Sequence, residues 1–272
     1  MNTRAWTALI ALAIACLIVA GCDTNEAIPT QASIEMALTA AFMTANAPPP
    51  GFTAGVQFAP IDRNLEALPH WHYIVSLSFN GVYADTGEAT DGTISAEIYS
   101  NELVGERRVI LTASGGAFGP TADRNVEGVR IGNAFYFVDQ NGVCSTVTDD
   151  PGRRRVAELT AGSLIGGVRQ ATHTITNREV NGAQAWQFAF LPGDVDPPVL
   201  EMTQGGTVRI ASGELWIAPA LNAVVEYTIT FEVSSVILPV FQGDRQLSGM
   251  LRASYRLVET LAPYNITIPF GC

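Results

Sequence analysis

Lysine is absent from this chain of 272 residues; all 15 basic side chains are arginines. Charge of either sign is scarce, at 15% of the sequence, against a usual share of about 25%. What charge there is leans acidic, with a formal net charge of −11 at pH 7. That balance excludes a general nucleic-acid binder, which needs a basic stripe to neutralise phosphates. Only three histidines occur and no CxxC pair, so a structural zinc site of the usual kind lacks ligands. No G-x-S-x-G is present, so there is no nucleophile elbow. The glycine-rich SGGAFGP, Ser114 to Pro120, is followed by no clear helical run. It reads as a flexible hairpin loop and not as a phosphate cradle. Asp85, Glu88 and Asp91 do not follow the spacing of an EF-hand and read as a polar turn. No catalytic set emerges. The expectation is a protein that is not an enzyme and uses no cofactor and no metal.

Cysteine is also rare, with four in the chain. Two lie in or just after the first apolar run. Residues 1–21 carry one charge, Arg4, and a hydrophobic stretch from Ala5 to Ala20. That stretch is short for a membrane span, and no basic stop-transfer cluster follows it. An ordinary secretory signal or a single anchoring helix would look similar. The closing LIVAGC, Leu17 to Cys22, favours a lipoprotein signal, because it resembles the bacterial lipobox. That resemblance implies that the small residues admit a peptidase and that the Cys22 thiol is expected to take a diacylglycerol. Two or three acyl chains would then hold the protein stably on a membrane. Cys144 and Cys272 remain. Outside the cytoplasm two leftover cysteines favour a bridge over free thiols, although two unrelated thiols would fit the spacing equally.

The mature chain, about 250 residues, suits one large β-sheet domain. Ile34, Leu38, Ala41 and Phe42 share one stripe of SIEMALTAAFMTAN, which predicts a helix ending before Pro48, Pro49 and Pro50. Most of the rest alternates with period two, as in WHYIVSLSF, EYTITFEV and LRASYRL. Asn80-Gly81, Asn141-Gly142 and Asn181-Gly182 read as hairpin turns between strands. The pattern predicts a mainly β (α+β) protein with a large, strongly curved antiparallel sheet of about ten or eleven strands. One interruption, Thr148 to Gly167, has no alternation, and VAELTAGSLI within it reads as a short helix. The expected organisation is a signal peptide at 1–21, a tether at 22–30 and a single half-barrel domain at 31–272.

This layout resembles a broad class of bacterial surface lipoproteins. The class includes the LppX and LprG type lipid carriers and, more remotely, the LolA and LolB lipoprotein carriers. The resemblance rests on the lipobox, on Val180-Asn181-Gly182 as a hairpin, on Gly213-Glu214-Leu215-Trp216-Ile217 as a strand, and on the apolar strand Val224 to Val233. It implies a half-barrel wrapped over an N-terminal helix and short helices on its concave side, with a hydrophobic cavity between. It also implies binding or carriage of acylated molecules.

The residues expected to form the core or cavity wall are Trp71, Tyr73, Leu77, Tyr227, Ile229 and Phe231. Arg153, Arg154 and Arg155 are the only basic cluster and read either as a solvated loop or as a contact for an anionic headgroup at the cavity mouth. His70 and His72 share a strand face and read as an exposed pair. The functional expectation is a lipid-anchored, extracytoplasmic binding protein with a lipid or lipoprotein ligand. The alternative is an envelope interaction module with a solid core and no ligand.

Overall fold

The computed structural model describes residues 31–119, 124–240 and 243–272. The signal segment, Cys22 and the tether lie outside the described residues. The chain divides into two compact units, one ending at Ala45 and the other running from Asn46 to Cys272. The first contains helix α1, Gln31–Ala45, which stops before the proline run as the sequence predicts.

Among the described residues, thirteen strands fill the second unit. They are β1 (Val56–Phe58), β2 (His70–Tyr83), β3 (Ala89–Asn101), β4 (Glu106–Ser114), β5 (Arg124–Ile131) and β6 (Ala134–Val138). Then come β7 (Cys144–Thr146), β8 (Gly167–Val180), β9 (Ala183–Ala189), β10 (Val195–Asp196), β11 (Glu201–Ala218), β12 (Ala223–Ile237) and β13 (Leu247–Glu259). The spatial order is β1-β8-β9-β11-β12-β13-β2-β3-β4-β5-β6-β7, with β10 also on β8. Every pairing is antiparallel. The path has two ends and does not close into a barrel. The surplus over the expected strand number comes from β1, β7 and β10, two or three residues each. A run that short has no period to detect.

Alternation sorts each strand into two faces. Val75, Leu77, Ile94, Ala96, Ile98, Tyr227 and Ile229 all point one way and are at most 1% exposed. The opposite face carries Ser, Thr, Arg and Glu. Two of the three Asn-Gly pairs make turns. Asn181 and Gly182, both at positive φ, join β8 to β9, and Gly142 turns β6 into β7. Asn80-Gly81 does not turn. It lies within β2, where Gly81 pairs with Gly249 of β13. A Cβ on Gly81 would sit 2.2 Å from the Ser248 carbonyl oxygen. This glycine serves close backbone approach, which sequence alone does not separate from a turn.

The interruption after β7 holds two short helices, α2 (Pro151–Ala157) and α3 (Ala161–Ile165). Asp150 caps α2 by accepting from the Gly152 and Arg153 amides, at 2.9 and 3.0 Å. Thr160 and Ser163 form a reciprocal capping box on α3. Both helices pack on the apolar face: α2 against β4, β5 and β6, and α3 against β2 and β13. The glycine-rich stretch after Ser114 lies in the connection from β4 to its antiparallel neighbour β5. Residues Gly116–Phe118 form a single 3-10 turn, and Phe118 is fully buried.

Candidate functional site

Five of the six expected wall residues are packed solid. Tyr73, Leu77, Tyr227 and Ile229 have no exposed surface, and Phe231 has 2%. A side chain touched by no water-sized probe adjoins neither bulk solvent nor a void able to hold a ligand. Trp71, 3% exposed, lies at the margin of a cleft of about 590 Å³.

That cleft is bordered by the segment from Pro60 to Ala67, by Trp71 and Arg107, and by Thr160. Most of its polar groups already serve the fold. Tyr73 donates to Asp62 Oδ2 at 3.0 Å, and the Ala161 and Gly162 amides donate to Asp62 at 2.8 and 3.1 Å. Arg107 donates to the Leu159 carbonyl and lies 5.1 Å over the Trp71 ring. Trp71 stacks on Tyr73 at 5.1 Å. Burial, with the Asp62 charge beside it, pushes the Tyr73 phenol far above its ordinary pKa. The cluster fixes α3 and the preceding loop onto β2.

A second groove, of about 300 Å³, runs between α2 and the apolar face of β4, β5 and β6. Its floor is Leu111, Val126, Phe137 and Val156, and its rim is Arg124, Asp150 and Arg153. Val126, Phe137 and Val156 are only half-buried, whereas the centre of the same face is sealed. The width of this groove depends on Gly128. A Cβ there would come within 2.5 Å of the Ala157 amide nitrogen.

The arginine triplet divides. Arg153 donates to Ser145 Oγ at 3.1 Å, pairs with Asp150 at 3.3 Å and lies 5.2 Å over the Phe137 ring. Arg154 pairs with Glu158 at 3.2 Å and covers Phe135 at 4.3 Å. Arg155 is exposed and makes no ion pair among the described residues. Of the three, only Arg153 reaches the groove.

His72 is buried at 6% exposure, against the expected exposed pair. Its Nε2 lies 2.8 Å from Glu97 and its Nδ1 3.2 Å from the Tyr264 hydroxyl. Its ring stacks on Tyr99 at 4.1 Å. Burial lowers the His72 pKa, and Glu97 opposes that shift without reversing it. The cause is the segment after β13, which no alternation marks. It passes over β2 and β3 at Tyr264 and ends in a disulfide between Cys272 and Cys144 on β7, with Cα atoms 5.3 Å apart.

Fold and site define an open, all-antiparallel sheet protein with an internal disulfide, a bond that belongs to an oxidising, extracytoplasmic setting. No family model matches the chain, and no curated protein matches it. Among solved structures it is similar to an uncharacterized conserved protein from Thermus thermophilus. Identity is 11% over 75% of this chain and 85% of that one, with a TM-score of 0.24. A likeness of that size carries no argument about function.

Proposed function

We propose that this is an extracytoplasmic binding protein, anchored by lipid on Cys22, that takes an amphiphile with an anionic head into the groove beneath α2. The observation that carries the reading is the half-buried apolar floor of that groove, rimmed by Arg124 and Arg153. Its volume of about 300 Å³ stands at the lower end of ligand sites, roughly 300–1,000 Å³. Burial of an acyl chain supplies about 25 cal/mol per Å². Arg124 and Arg153 offer the headgroup hydrogen-bond donors, Arg153 by exchanging Asp150 for it, and no covalent bond is made or broken. The site lies away from the expected wall, because the central strands fill their own interior.

The close packing of that centre favours a second reading, an interaction module without a ligand. Native mass spectrometry of the exported domain, with Cys22 replaced, separates the two. Co-purifying lipid near unit stoichiometry, lost in a Val126→Arg variant that retains its fold, supports the carrier. A clean apo mass that survives incubation with lipid vesicles removes it and leaves the module.

A further inference from the structure

The polar face of the sheet is ordered in rows. Strand register places Thr228, Ser254, Ser76, Ser95 and Thr112 side by side on β12, β13, β2, β3 and β4. One step along the strands, Ser212, Thr230, Ser78 and Thr93 form a second row, broken only by Arg252 of β13. The Ser76 and Ser254 hydroxyls hydrogen-bond at 2.8 Å. Small side chains in both rows leave a trough, and two basins of about 380 and 340 Å³ open in it and share Thr228. Arg252 borders one and Arg256 the other. Both lie on β13 and flank Ser254, and their guanidinium groups have no ion pair or hydrogen bond among the described residues. Glu226 also lines the trough, but Arg178 holds it in an ion pair. Among the described residues, Glu214 is the one carboxylate there without a partner. The trough therefore carries a surplus of positive charge on a chain whose formal charge is −11.

We infer that this trough binds a linear acidic glycan. Each Ser or Thr hydroxyl both donates and accepts, as sugar hydroxyls do. Successive hydroxyls across the row repeat at the strand spacing of about 4.8 Å, so an extended chain of rings can engage them in series. Arg252 and Arg256 supply forked donors that match carboxylate or sulfate substituents. The two arginines point to an anionic polymer and not a neutral one, and the negative formal charge of the rest of the chain confines such a polymer to this trough. The site is on the face opposite the groove beneath α2 and does not depend on it.

The test is titration calorimetry of the full chain in mild detergent with polygalacturonate, neutral dextran and inorganic polyphosphate. Polygalacturonate is expected to bind, with dextran and polyphosphate each at least tenfold weaker and with affinity falling as salt is raised. An Arg252→Ser/Arg256→Ser variant and a Thr228→Val/Ser254→Ala variant should each lose at least tenfold. Both sets of positions face solvent, and an unchanged near-UV circular dichroism spectrum confirms that the variants fold. Absence of polygalacturonate binding overturns the inference. So does full binding by either variant, or polyphosphate binding as tight as polygalacturonate, which would leave the hydroxyl rows no part.

Discussion

At the scale of single residues, His72 shows how burial changes a side chain's behaviour. The neutral imidazole sits among Glu97 and Tyr99 from β3, Arg256 and Glu259 from β13, and Tyr264 from the closing segment. Desolvation leads, so the folded pKa is lower than the unfolded one. The sign follows from linkage. The stabilisation is fully present above the unfolded value of about 6.5 and is lost as pH falls through the lower folded value. Urea unfolding between pH 7.5 and pH 5 should show wild type losing stability over that window more steeply than His72→Gln. Equal slopes would remove His72 as the cause. Tyr227 makes the opposite kind of case. Its hydroxyl is buried and meets no partner among the described residues. Tyr227→Phe deletes an unsatisfied group without leaving a cavity, so stability should hold or rise by about 1 kcal/mol. A thermal melt that falls by several degrees would show that the hydroxyl has a role.

At the scale of elements, the two short helices are placed by glycines and caps more than by propensity. Isolated segments of five and seven residues have no helical stability of their own in water. Here Asp150 and Thr160 satisfy the first-turn amides, and contact with the sheet supplies the rest. Gly128 is the point of contact beneath α2. Gly128→Val puts two methyl groups where the Ala157 backbone lies and should cost about 1–3 kcal/mol as overpacking. Chemical denaturation measures that loss, and the same variant should also weaken any ligand held in the groove. A variant as stable as wild type would mean that α2 lifts freely. The alternation of β2, β12 and β13 was legible from sequence because each strand is long and has one wet face. The groove was not, since Leu111, Val126, Phe137 and Val156 lie on three strands and a helix.

At the scale of the whole molecule, long-range pairings decide the architecture. β13, close to the C-terminus, is inserted between β12 and β2 and pairs with both along most of its length. Deleting residues 247–272 removes a central strand. Circular dichroism should then show loss of the sheet, whereas retention of native signal would make β13 dispensable. The Cys144–Cys272 bridge ties residues 128 apart in sequence. In the chain-entropy model it stabilises by about 5 kcal/mol. Cys144→Ser/Cys272→Ser should lower the urea midpoint accordingly, and an unchanged midpoint would mean that the closing segment is held without it.

Sequence by itself determined the class of fold, the core runs of the long strands such as WHYIVSLSF, EYTITFEV and LRASYRL, a helix within SIEMALTAAFMTAN and the apolar composition of the inner strand faces. Each of these follows from local periodicity or from proline and glycine chemistry, which act within a few residues. Only the tertiary structure decided that the expected wall is solid core, that Asn80-Gly81 runs straight, that His72 is covered and that hydroxyls form rows across strands. These depend on register between strands distant in the chain and on which segments cover which face. No local signal encodes that, because the energy resides in contacts that exist only once the sheet has assembled.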